Sequence, residues 1–131
     1  VFGITIRVNS LTRFEDHSGA DVQRFSLANV AVGDYVEVDA YNDGSGLLAT
    51  KLERDDNQGE VQLEGVAQNV AAPNFTVGGV AVTTDGNTEF RDTNGVTNAA
   101  AFFQAAPGRQ VKARGTLVGN VVLATRAELE D

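Results

Sequence analysis

The chain has a single histidine, His17, set in the polar segment Glu15, Asp16, His17, Ser18, Gly19. An imidazole acting as a metal ligand or general base needs partners. The nearest are Glu15 and Asp16, whose adjacent side chains point in different directions in an extended segment. His17 therefore reads as a solvated loop histidine. A second candidate is the oxygen-rich run Asp55, Asp56, Asn57, Gln58, Gly59, Glu60. An EF-hand loop wants acidic or amide residues at positions 1, 3 and 5 and Gly at 6. Counted from Asp55, glycine already stands at position 5, so the spacing fails and the run reads as a solvated linker. No metal is assigned, although Asp55, Asp56 and Asn57 are the residues that an irregular calcium site would use.

Glu37 and Asp39 share one face of a strand, the arrangement from which a glycosidase-like carboxylate pair would have to be built. Two acids on an exposed strand face are the ordinary case of solvation, and no catalytic residue is assigned. No glycine-rich stretch ends in the Lys-Ser/Thr of a P-loop, and no Gly-x-Ser-x-Gly elbow with a usable histidine occurs. With no cysteine, disulfides, thiolate zinc sites and Cys nucleophiles are excluded. The chain reads as non-catalytic.

The elements that would position these residues come from an internal repeat. Val1 falls on Val77, Gly3 on Gly79, Ile4 on Val80, Ile6 on Val82, Thr12 on Thr88, Phe14 on Phe90, Asp16 on Asp92 and Gly19 on Gly95. After one dropped residue, Gly33 falls on Gly108, Val36 on Val111, Ala49-Thr50-Lys51 on Ala124-Thr125-Arg126 and Glu53 on Glu128. Residues 1–57 and 58–131 form the two repeats.

In the second repeat, alternating apolar and polar residues broken by turn signals predict strands at 61–70 and 75–84, with a bulge or bend at Gly78 and Gly79, and a short strand at 88–90. A helix follows over 97–106, capped by Asn98 and stopped by Pro107 and Gly108. A hairpin of 110–118 and 121–129 then turns at Gly119-Asn120. Three strands, a helix and two strands is the order of the OB-fold, a five-stranded Greek-key barrel, with Phe102 or Phe103 as the plug. The first repeat has the same parts: strands 2–8 and 12–14, a helix near 22–29 with Phe25 and Leu27 filling the core, and the hairpin 35–41 and 47–54. The expected fold is all-β with short helices, as two tandem OB-like barrels. The first lacks its first strand, leaving an edge open to upstream residues, the neighbouring unit or a second molecule.

OB barrels usually bind ligands across strands two and three and the adjoining loops. Here that surface would include Asn74, Thr76, Thr83 and Arg91. Comparing the copies exposes a sign inversion, because Glu37 and Asp39 in the first repeat face Lys112 and Arg114 at the equivalent places in the second. These four are candidates for inter-unit or partner contact, though exposed pairs contribute only about 0 to 1 kcal/mol each.

The net charge of -8 at pI near 4.5 argues against nucleic acid and anionic membrane, whose binding depends on Lys and Arg displacing counterions. Residues 1–60 carry 11 acidic and 5 basic side chains, and 61–131 carry 7 and 5, so acidity sits mainly in the first half. No apolar run approaches the roughly 20 residues of a membrane span. There is no methionine, so Val1 is not a translational start and upstream sequence is expected.

The Phe75-to-Val80 strand with its Gly-Gly-Val, the Thr88-x-Phe90 element, and a Gly-x-x-Val leading to a hairpin that ends Ala-Thr-x-x-Glu resemble the DUF5666 family. In the two copies these residues are Gly33, Val36, Ala49, Thr50 and Glu53, then Gly108, Val111, Ala124, Thr125 and Glu128. The resemblance implies a bacterial cell-envelope or secreted protein with tandem copies of a module of unknown function, and brings no catalytic residues. The expected role is a non-catalytic binding or assembly module contacting protein or glycan through β-edges or loops, with a possible homo-oligomer through the open edge. A small-ligand or calcium-binding domain is the alternative, and an enzyme with an acidic site comes last.

Overall fold

The computed structural model describes residues 1–130. Among the described residues the protein is mostly β with one α-helix, and it divides into two compact units, Val1 with Gly3–Gln58 and Phe2 with residues 59–130.

The second unit contains β5 (Val61–Ala71), β6 (Asn74–Val77), β7 (Val80–Thr83), β8 (Glu89–Asp92), β9 (Gly95–Thr97), α1 (Ala99–Ala105), β10 (Gln110–Val118) and β11 (Val121–Leu129). Its pairings close on themselves: β10 to β5, β5 to β6, β6 to β7, β7 to β11 in parallel, and β11 back to β10. β8 continues alongside β11, also in parallel, and β9 folds back on β8. Inside lie Phe75, Val82, Val111, Val122 and Phe102, all essentially without exposure. Phe102 stacks tilted on Phe75 and Phe90 and edge-on against Phe103, with ring centroids 5.2–5.8 Å apart. Of the two expected plugs Phe102 is the buried one, and Phe103 is half-buried.

Three expectations for this unit are corrected. The span 75–84 is not one bent strand but two, because Gly78 and Gly79 both adopt positive φ (59° and 84°) and form the two-residue turn that joins β6 to β7. Thr97 belongs to β9 rather than to the helix, which starts after Asn98, whose side chain accepts a hydrogen bond from Ala101 N at 2.9 Å. The third strand runs Glu89–Asp92 rather than 88–90, because Thr88 is spent in the turn with Asp85.

The first unit contains β1 (Ile6–Arg7), β2 (Arg13–Asp16), a one-turn 3-10 helix (Leu27–Asn29), β3 (Tyr35–Asn42) and β4 (Leu47–Asp55). β1 and β2 run parallel to β4, and β3 runs antiparallel to it. The registers repeat those of β7, β8 and β10 around β11: Arg13 lies opposite Lys51 as Glu89 does opposite Arg126. No described strand of this unit corresponds to β5, β6 or β9, so three strands of the second unit, not the one expected, lack a counterpart among the described residues.

The expected strand over 2–8 shrinks to Ile6–Arg7, since Phe2 (φ 56°) and Gly3 (φ 75°) repeat the Gly78-Gly79 turn. The expected helix near 22–29 reduces to one 3-10 turn behind Ser26. Leu27 is about half exposed rather than in the core, which Phe25 does enter.

A bulge recurs in both hairpins. Asp39 pairs with Lys51 and Ala40 with Ala49, so Thr50 is extra; Arg114 pairs with Arg126 and Gly115 with Ala124, so Thr125 is extra. The extra threonine donates its hydroxyl to the carbonyl of Asp39 (3.2 Å) or Arg114 (3.1 Å). The alanine carbonyl just before it accepts from buried Thr12 or Thr88, both at 2.7 Å. Each of these two hydroxyls also accepts a backbone N–H three residues upstream, from Asn9 and Asp85, at 3.0 Å. The repeated Ala-Thr and the repeated Thr thus form one lock, made twice.

Candidate functional site

The outward face of β2, β4 and β3 concentrates the ionisable side chains of the first unit. Strand alternation puts Arg13, Glu15 and then His17 on one side of β2, with Asp16 on the other. Register sets Glu15 opposite Glu53 and Glu53 opposite Glu37, so three glutamates form a row across three strands. The neighbouring row is Arg13, Lys51 and Asp39. At the equivalent places of the second unit the rows are Arg91, Glu128, Lys112 and Glu89, Arg126, Arg114. The glutamate row of the first unit is therefore an alternating row in the second. Like charges directly opposite one another destabilise a sheet.

Two cations answer that repulsion. Lys51 Nζ lies 2.7 Å from Glu53 Oε1 and 3.4 Å from Glu15 Oε2. His17 Nε2 lies 3.2 Å from Glu15 Oε2 and 3.5 Å from Glu53 Oε1. The hydrogen bond from His17, helped by one with Glu53 and by Lys51, holds the Glu15 carboxyl down at about 2. Its partners push the other way: Glu15 raises the His17 imidazole and Glu53 raises the Lys51 ammonium. Among the described residues, Glu15, His17 and Glu53 are a group of metal-compatible side chains whose donor atoms all lie within 4.8 Å of one another.

On the inner side, Asp16 has a fully buried carboxylate held by Arg54 Nη2 at 2.7 Å and Nε at 3.1 Å. That guanidinium, with the hydroxyl and N–H of Ser18 and the N–H of Val22, drives the Asp16 carboxyl far below the ordinary range. Arg54 also donates to the carbonyl of Asn29 and lies 4.7 Å over the ring of Phe25.

The sequence signal for the outer cluster is partly present. Glu15 and His17 are two apart, the same-face spacing of a strand, but the segment reads as a loop until β2 is seen to extend through Asp16. Glu53 reaches them only through the parallel pairing of β2 with β4, which no local pattern announces.

The other candidates are dispersed. Asn74, Thr76 and Thr83 sit together on β6 and β7, where Asn74 pairs with Thr83. Arg91 is on β8 and engages Glu89. Thr83 lies opposite Leu123 and Arg91 opposite Glu128, five residues further along β11, or about 17 Å at the usual rise. Lys112 pairs with Glu130 at 3.3 Å, and Arg114 reaches Gln62 at 3.2 Å and Glu60 at 3.8 Å. Asp56 accepts from Gly19 N and Asp55 from Asp56 N, so these carboxylates serve the backbone. Asn57 is exposed. An open cleft of about 350 Å³ in the second unit, lined by Pro73, Thr84, Asp85, Phe90 and Phe103 among others, contains neither Glu37 nor Asp39, both of which are exposed. No helix among the described residues is long and apolar enough to cross a membrane.

Shared registers, shared bulges and a shared threonine lock define a tandem duplication of one small β module. The chain belongs to the DUF5666 family, a domain of unknown function, whose model matches residues 1–53 and 64–128. Neither a curated protein nor a solved structure matches it.

Proposed function

We propose that the protein is a non-catalytic binding or assembly module, made of OB-like barrels and displayed outside the cytoplasm, that takes up a β-strand of a protein partner along the edge of β3. One observation carries this reading. In the second unit β10 pairs on both sides, with β11 and β5, and its inward residues Val111 and Ala113 are fully buried. In the first unit β3 pairs with β4 alone among the described residues, and the equivalent Val36 and Val38 are only half-buried. An edge with half-covered apolar residues is the surface that strand addition uses, with backbone hydrogen bonds supplying affinity and alternate side chains supplying specificity.

The cyclic pairing of β10, β5, β6, β7 and β11 supports the OB-like assignment. Placement outside the cytoplasm rests on the family resemblance alone, and a secretion signal in the full reading frame is its test.

The strand-addition reading is tested with a peptide of residues 61–77, the β5–β6 hairpin that lies against β10 and β7 in the second unit. Added to the full chain, it should shift the amide resonances of Val36 and Val38 saturably. Shifts confined to other strands, or none, would contradict the reading.

A further inference from the structure

From the outer face of the first unit we infer a binding site for a divalent transition-metal ion of the Zn²⁺ class, formed by Glu15, His17 and Glu53. It is independent of the strand-edge reading, since it uses the sheet face and not the edge of β3.

The first argument is spacing. Nitrogen and oxygen ligands lie at about 2.0–2.1 Å from a tetrahedral zinc ion, so two of them are about 3.3–3.4 Å apart. The His17 nitrogen is 3.2 Å from the Glu15 oxygen and 3.5 Å from the Glu53 oxygen. These two separations are near those of ligands on one ion, and all three donor atoms lie within 4.8 Å of one another, so gathering them on a metal needs side-chain adjustment and no change of fold. The second argument is rigidity: Glu15 and Glu53 are direct cross-strand partners on β2 and β4, and His17 N is bonded to Arg54 O at 2.8 Å. The third is charge, because the glutamate row continues to Glu37 and gains from any cation placed within it.

Donor chemistry selects the ion. An imidazole nitrogen with two carboxylates suits zinc and its neighbours, whereas calcium takes six to eight oxygens. The site is partly exposed, so water can complete the coordination. Lys51 is the resident cation on the same two carboxylates, half-exposed on a flexible stem that can swing aside. Metal binding is therefore a displacement of Lys51. The second unit supplies an internal contrast: Arg91 and Thr93 stand where Glu15 and His17 stand, leaving only Glu128 of the three.

Because His17 is the only histidine, its imidazole resonances report on this site alone. The full chain, stripped with chelator, is titrated with Zn²⁺ by calorimetry and by ¹H–¹⁵N spectra of the ring. The expected result is one zinc per chain with the His17 ring signals shifted, binding at least about tenfold weaker in His17→Gln and in Glu15→Arg, and a few-fold tighter in Lys51→Gln. Circular dichroism checks that each variant keeps its fold. The inference is overturned if the wild-type ring signals stay unmoved at millimolar zinc, if His17→Gln binds within about threefold of wild type, or if Lys51→Gln fails to tighten binding.

Discussion

Arg54 grips Asp16 with two parallel hydrogen bonds, Nη2 to Oδ2 at 2.7 Å and Nε to Oδ1 at 3.1 Å. The same carboxylate takes the N–H and hydroxyl of Ser18 and the N–H of Val22, so one buried charge organises the whole segment after β2. At the equivalent places the second unit has Asp92 and Leu129. There Leu129 is buried and α1 brings in Phe102. The two copies share the register of β1–β4 with β7, β8, β10 and β11 and close their cores differently, one with an ion pair over Phe25 and the other with an aromatic helix.

Removing that ion pair should therefore loosen the first unit only. Asp16→Asn leaves Arg54 without its full partner and should lower the melting temperature of the first unit by several degrees, with Asp16→Ala lower still. Residue-resolved thermal unfolding by NMR checks this. Equal losses at Val111 and Val122 would contradict it.

The threonine lock makes a paired prediction. Thr88→Val leaves the carbonyl of Ala124 and the N–H of Asp85 without their buried hydroxyl partner, and Thr12→Val does the same to Ala49 and Asn9. Each should cost about 1–3 kcal/mol, read as a lower denaturant midpoint of its own unit. A neutral result in both would mean that the hydroxyls are not what fixes the bulge.

This lock also marks how far the sequence could be read. Thr12 with Thr88 and Ala49-Thr50 with Ala124-Thr125 are visible as repeats, and the Gly119-Asn120 hairpin and the Asn98 cap follow from local chemistry. The turn at Gly78-Gly79 is ambiguous, because two glycines serve a bulge as well as a tight turn. The region 22–29 misleads: its helical composition is overruled by Asp16, which draws the Val22 N–H to itself. The Glu15–His17–Glu53 cluster depends on the pairing of Glu15 with Glu53, 38 residues apart, and long-range parallel register leaves no local trace.

Phe102 should be the residue whose loss matters most to the second unit. It has no exposed surface and touches the rings of Phe75, Phe90 and Phe103. Phe102→Ala should cost about 3–5 kcal/mol by denaturant unfolding, and half-buried Phe103→Ala clearly less. Equal effects would place the plug differently.

Glu64 and Glu130 form a carboxyl pair that shares a hydrogen bond, which raises Glu64 and lowers Glu130, the latter also steadied by Lys112. A raised acid contributes stability that is present below its unfolded pKa and lost as pH rises through its folded one. Glu64→Gln keeps the hydrogen bond without the charge. It should stabilise the second unit at pH 7–8 and lose that advantage toward pH 4, where the wild-type carboxyl is protonated. Melting temperatures across that range provide the check, and a pH-independent difference would contradict the pairing.

Amide hydrogen exchange tests most directly the claim that β3 is a strand edge where its counterpart β10 is paired on both sides. The account predicts strong protection throughout Val111–Arg114 of β10, but in β3 protection only of those amides between Val36 and Asp39 that face β4, with the others exchanging near the rate of unprotected backbone. Uniform, strong protection along both strands would contradict it.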